Sequence, residues 1–212
     1  MIDDAVRLMP RSLRTVLESR REQLLRGMLA PLTDEDSASH RPPWGDGTLD
    51  GTLEAEALGL VEALERPTGF DEIALRFGRL AHFVADSGFP PAMGSGDGRR
   101  YSHFAEFCKT RRERFLLVFY GHDDDLAKRG YREYARGIME RARNDDRDLA
   151  RAYVKAGDPP SAAAFDDRSV PFAVGSLSYS HSVTDIVRVW LTAWGQAHGD
   201  LGYTPYRSNK QP

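Results

Sequence analysis

The chain has one cysteine, Cys108, in 212 residues, which excludes an internal disulfide framework and any cysteine-rich zinc cluster. A metal bound by this protein must be held by histidine and carboxylate ligands. No charge of one sign dominates: 29 basic and 32 acidic residues give a formal net charge of −3. That is too weak a field to recruit nucleic acid or an anionic membrane over the whole surface, so no stable nucleic-acid partner is expected. Long apolar runs are also missing. The longest, Phe115-Leu-Leu-Val-Phe-Tyr120, falls far short of the roughly 18 residues of a membrane span. Met1-Ile-Asp-Asp-Ala-Val-Arg-Leu-Met-Pro10 carries two acids and no apolar core of signal-peptide length. The expected location is cytoplasmic, with export as the alternative if the start is trimmed or misassigned. Alternating β-rich runs and internal repeats are absent as well, which points to an all-α fold.

What is present is helical periodicity. Pro10 suits a first helical turn, and Leu13, Val16, Leu17, Leu24, Leu25 and Met28 predict one amphipathic helix over 10–29. Residues 31–50, rich in Asp, Ser, Pro and Gly, read as a long loop of the kind that often carries function. Leu53, Ala57, Leu60, Val61 and Leu64 predict a second helix that stops at Pro67. Phe70 through Val84 predict a third, broken at Gly88 and the Phe89-Pro90-Pro91 turn. The glycine-rich stretch 92–100 reads as a loop, followed by a helix through Phe104, Phe107 and Cys108 to about Phe119. A charged helix bearing Tyr131, Tyr134, Ile138 and Met139 runs on towards Pro159-Pro160. The segment from Pro171 to about His198, apolar over much of its surface, should be the central, most buried helix. Together these predict a single helical domain over 1–212.

Several constellations bear on chemistry. His82-Phe-Val-Ala-Asp86 places an imidazole and a carboxylate one turn apart on one helical face, within reach of one ion. A hydrogen-bonded pair beside a core is the competing interpretation, about as common for the motif alone. Ala81 and Ala85 beside the pair leave room for another segment to approach. The loop Asp34-Glu-Asp-Ser-Ala-Ser-His40 offers that segment: an aspartate and a histidine that would complete a set suited to zinc, with manganese or iron as alternatives. His103 and Glu106 could hold a second ion or act as acid and base. Arg99 and Arg100 are candidates for neutralising phosphate charge. His181 and Asp185 read as a buried polar pair fixing helix packing rather than as ligands, and His122-Asp123 as part of a turn and helix start, with metal binding by this adjacent His-Asp as the alternative.

The ordered set, an aspartate and His40, then His82-x-x-x-Asp86 with its Pro-Pro turn, then His103 and Glu106, resembles the zinc-dependent phospholipase C and single-strand nuclease superfamily. Leu80-Ala-His-Phe-Val-Ala-Asp86 is similar to the hallmark helix of these all-helical enzymes, and Ser178 through Trp190 to the closing helix of bacterial members. The resemblance implies a phosphoric ester hydrolase in which Asp34 or Asp36, His40, His82 and Asp86 bind one zinc ion and Asp86 can bridge to another. It implies that His103 and Glu106 are the remnant of a second metal site, and that a phospholipid or small phosphate ester is the substrate. Asp86 and Glu106 would then serve catalysis. The chain departs from the family in three places. It starts at Met1 without the family's N-terminal Trp and nearby His, it has Ala92 in place of a ligand histidine, and its last pair is spaced His-x-x-Glu. A catalytically inactive metal-binding module of the same fold is the alternative.

Overall fold

The computed structural model describes residues 1–94, 98–157 and 165–207, and among them there are helices and no strands. The architecture is all-α. After α1 (Ile2–Arg7), the predicted helix over 10–29 is two helices, α2 (Arg11–Ser19) and α3 (Arg21–Leu29). Pro10 stands just before α2 rather than inside it. The break falls at Arg20 (φ −120°, ψ 30°), where the Ser19 hydroxyl donates to the Val16 carbonyl at 2.8 Å and competes with the backbone ladder. The break re-aims the second half, so that Leu13 and Leu17 are buried from α2 and Leu24 and Gly27 from α3.

The predicted loop over 31–50 is partly ordered: two short 3-10 segments, Ala30–Thr33 and Ser37–His40, overlap it, and α4 (Leu49–Glu65) takes its last two residues. α4 ends at Arg66, which is extended (φ −103°, ψ 163°) as a residue preceding proline must be. α5 (Phe70–Ser87) ends at Gly88, and Pro90 then opens a short helix, α6 (Pro90–Met93), from its first position. The glycine-rich loop is therefore shorter than 92–100: Ala92 and Met93 belong to α6 and residues 98–100 to α7 (Gly98–Arg111). Residues 95–97 lie outside the described residues.

Phe115 to Phe119 is not helical. After a 3-10 turn at Arg112–Arg114 the chain leaves helical structure, with Phe115 extended (φ −79°, ψ 107°). Phe115, Leu117 and Phe119 turn inwards, while Leu116, Val118 and Tyr120 are 79%, 52% and 41% exposed, the period-two alternation of a strand rather than a helix. Its backbone bonds are supplied by side chains of the last helix. The amides of Val118 and Tyr120 donate to Ser180 Oγ (3.1 Å) and Thr184 Oγ1 (3.2 Å), and Arg188 donates to the carbonyls of Tyr120 and Gly121.

α8 (Leu126–Arg129) and α9 (Tyr131–Ala156) are separated by Gly130 at φ +87°, a conformation open to glycine. Pro159 and Pro160 lie outside the described residues. α10 (Val170–Gln196) is capped by Ser169, whose hydroxyl accepts from the Phe172 amide. It is the buried centre its composition predicts, with Val183, Ile186, Val187, Val189 and Trp190 fully enclosed. Each such side chain contributes about 1.5–3 kcal/mol by leaving water. The indole of Trp190 donates to the Phe77 carbonyl of α5 at 3.0 Å, so the largest core side chain leaves no orphan donor. No helix of the described residues is long and apolar enough to cross a membrane.

α3 and α5 touch backbone to backbone. A Cβ on Gly27 would lie 1.9 Å from the Leu75 carbonyl oxygen, and one on Gly78 2.0 Å from that of Leu24. The crossing brings the end of α3 against the middle of α5.

Candidate metal centre

His82 is buried on α5, at 5% exposure, between Ala81 and Phe83. Its Nδ1–H donates to the Met28 carbonyl of α3 at 2.8 Å. That bond fixes the ring and its tautomer, and directs Nε2 towards Asp86 Oδ2 at 3.2 Å. Burial works to lower the imidazole's pKa. The hydrogen bond and charge of Asp86, with the Met28 carbonyl, outweigh it and hold the pKa above the usual histidine value.

His40 arrives from the loop. Its 3-10 turn is built by Asp36, whose carboxylate accepts from the Ala38 amide at 3.0 Å and whose carbonyl accepts from Ser39 Oγ at 2.6 Å. The amides of Thr48 and Leu49 bond back to the carbonyls of Ala38 and Arg41, tying the far end of the loop to its start. His40 then rests on Phe83, ring centroids 5.3 Å apart, with Nδ1 2.6 Å from Asp86 Oδ2 and 3.4 Å from His82 Nε2.

Three potential ligand atoms, one each from His40, His82 and Asp86, thus converge on one point. Bond lengths of about 2.0–2.1 Å at tetrahedral angles put zinc ligand atoms roughly 3.3 Å apart. Two of the separations, 3.2 and 3.4 Å, match this, and the third, 2.6 Å, needs only a small opening. Two imidazoles and one carboxylate, with a second hydrogen bond orienting one imidazole, form a donor set that fits a divalent ion of the zinc class.

The other predicted residues are placed elsewhere. Asp34 pairs with Arg79 of α5 at 3.4 Å, and Arg79 is also held by Glu56 at 2.9 Å. Asp36 caps its own turn. On α7 the chemistry-bearing residues divide between two faces. Tyr101, Phe104, Ala105 and Cys108 line a cavity that Asp86 also borders, whereas His103 and Glu106 line a different one with Phe107 and Phe165. His103 Nδ1 shares a hydrogen bond with the Tyr153 hydroxyl at 2.7 Å, and Glu106 is exposed beside Lys109. Arg99 is exposed, and Arg100 donates to both carboxylate oxygens of Asp146 at 2.9 Å.

His181 and Asp185 do not form the pair that their spacing suggests. Asp185 bonds Tyr134 and Arg141, while His181 stacks on Tyr120 at 4.4 Å. His122 donates from Nε2 to the Pro205 carbonyl at 2.8 Å and Asp123 pairs with Arg129, in keeping with a turn.

Sequence reasoning missed the Met28 carbonyl, because a backbone acceptor has no residue-type signal. A cavity lies beside Asp86. This space, about 450 Å³, is an open cleft lined by Met1, Phe89, Tyr101, Phe104, Phe115 and Tyr179, together with Asp86. Its lining is mostly apolar, and Cys108 within it has a thiol pushed up to about 12 by burial. Tyr101 is likewise raised, by burial and then by the nearby charge of Asp86.

No protein-family model and no curated protein sequence matches the chain. Among solved structures it is similar to the crystal structure of alpha-toxin from Clostridium perfringens, isolated from avian strain SWCP, with a TM-score of 0.63 and 14% sequence identity. The match covers 92% of this chain and 58% of that one, so the chain spans little more than half the length of the toxin. At this identity the likeness establishes a shared all-helical fold.

Proposed function

We propose that the protein is a metal-dependent phosphoric ester hydrolase with one metal held by His40, His82 and Asp86. The observation that carries this reading is the number and exposure of the ligands. Three protein ligands with an open position characterise catalytic zinc sites, whereas structural sites are closed by four. Asp86 and His40 are part-exposed, at 28% and 24%, so the open position faces accessible space. The fold shared with the toxin and the family resemblance of the His82–Asp86 helix support the same chemistry.

A divalent ion bound there would polarise a phosphoryl oxygen and lower the pKa of a bound water towards neutrality. The chain's own contributions are positional. Met28 and Asp86 fix the His82 ring, Phe83 supports His40, and the apolar cavity beside Asp86 can take the non-phosphate part of an ester while excluding water. That lining favours an amphiphilic substrate of phospholipid type over a free sugar phosphate. His103 and Glu106 open onto another cavity, so the reading rests on a single metal.

A second reading has its own observation: among the described residues, the only cluster suited to a metal is this three-residue group. A lone ion tying the 31–50 loop to α5 would make a non-catalytic module. Metal analysis of protein purified without chelator, followed by turnover of a generic phosphodiester and a short-chain phospholipid, separates the two. The hydrolase reading expects about one zinc per chain and turnover lost together with metal in Asp86→Asn. Bound zinc with no turnover of either ester supports the module instead.

A further inference from the structure

The arginines of α9 that face α4 are matched by carboxylates. Arg132 meets Glu54 at 2.8 Å and Arg136 meets Asp50 at 2.8 Å. α4 begins at Leu49, and past that point the same side of α9 continues with Arg143 and Arg147, seven and eleven residues beyond Arg136. There they look onto the loop after His40, across a cavity of about 420 Å³ bordered by Arg41, Trp44, Asp46 and Asp146. Both carboxylates in that lining are already engaged. Asp46 pairs with Arg41 at 3.1 Å and Asp146 with Arg100 at 2.9 Å.

Among the described residues neither Arg143 nor Arg147 has a carboxylate within ion-pair distance, which leaves two guanidinium groups as surplus positive charge around one concavity. Trp44, 40% exposed at the rim, lies under Arg143 with 5.0 Å between the guanidinium carbon and the ring centroid. Stacking on an aromatic face holds a guanidinium plane in place and leaves its N–H edge free to donate. A preset fork beside a second unpaired arginine suits the tetrahedral oxygens of phosphate, which accept two such donors at once.

We propose that Arg143 and Arg147, with Trp44 as their platform, bind the phosphate group of an anionic ligand. The site is separate from the His40, His82 and Asp86 group and does not require metal there, although His40 and Arg41 are consecutive. A soluble phosphate ester and a lipid headgroup share the recognised chemistry.

The test is a calorimetric titration of the full chain with inorganic phosphate at constant ionic strength, in zinc-loaded and chelator-treated protein. Saturable binding is expected in both states, weakened about tenfold or more in Arg143→Ala and in Arg147→Ala, and less in Arg143→Lys. Both arginines are exposed, and unchanged urea midpoints will confirm that the variants fold. Parallel arms with glycerol phosphate and with phosphatidate vesicles identify the source: an arginine-dependent signal in the first assigns a soluble ester, and in the second a lipid headgroup. The proposal is overturned by no saturation below about 10 mM, by binding indifferent to both alanine variants, or by binding that disappears on chelation.

Discussion

Replacing Gly78 by alanine should destabilise the protein and weaken its metal site together. The new Cβ would stand 2.0 Å from the Leu24 carbonyl oxygen, 2.7 Å from the Met28 amide nitrogen and 3.0 Å from the Gly27 carbonyl carbon. All three are backbone atoms, so no side chain can swing aside. Ordinary contact needs about 3.5 Å, which forces α3 away from α5 by more than about 1 Å. Overpacking of this kind costs roughly 1–3 kcal/mol, occasionally more, and the better helix propensity of alanine returns up to about 1 kcal/mol. A net loss of about 1–2 kcal/mol is expected. The same displacement stretches the 2.8 Å bond from His82 to the Met28 carbonyl, and losing such an outer partner typically weakens a metal site by about 10- to 100-fold. Gly137→Ala is the control, since it lies inside α9 and nothing is within 4 Å of its Cβ position. It should stabilise by about 0.5–1 kcal/mol and leave metal affinity alone. Urea denaturation and zinc titration against a chromophoric chelator read the two effects. A Gly78→Ala protein as stable as Gly137→Ala would refute the packing argument, and a destabilised one with unchanged zinc affinity would refute the coupling.

Arg141→Ala strips the nearer of two charged partners from Asp185, which is 1% exposed and keeps the Tyr134 hydroxyl and Arg188 at 3.9 Å. Urea midpoints should show a loss on the order of 3 kcal/mol at pH 7 that shrinks as pH falls, because burial already raises the Asp185 pKa and favours its protonated form, and a smaller loss when Asp185→Asn is added. The pKa of His181 is lowered to about 4 by burial and then by Arg141 and Arg188. Its folded form therefore stays neutral while the unfolded chain takes up a proton, and the protein loses stability as pH falls from about 6.5 to about 4. His181→Gln should remove that part of the acid limb, on the order of 1–2 kcal/mol after allowance for its partial exposure, in denaturation curves at pH 7 and 4.5.

The helices were legible where periodicity was long and unbroken. α4, α5 and α10 follow from their apolar spacing and their Pro or Gly ends. Arg20 interrupts α2 and α3 without a breaker residue, so nothing in the sequence separates one helix from two. Phe115 to Tyr120 carried no polar residue to reveal its alternation, and its hydrogen bonds go to hydroxyls of α10 more than 60 residues away. The metal group was readable as a helical pair plus a loop histidine. Which loop aspartate would join it was not, because the competitor for Asp34 is Arg79 of α5, 45 residues along the chain, and the loop sequence alone does not define that approach. His103 and Glu106 sit three apart and share a helical face, but that face is turned from Tyr101 and Ala105, which share a cavity with Asp86.

The claim that His40, His82 and Asp86 form a metal centre is tested most directly by zinc stoichiometry and affinity at pH 7 in the full chain and in four variants. About one zinc per chain is predicted, lost in His40→Ala, in His82→Ala and in Asp86→Asn, and retained in His122→Ala. Zinc that survives in His82→Ala and is lost in His122→Ala would contradict it.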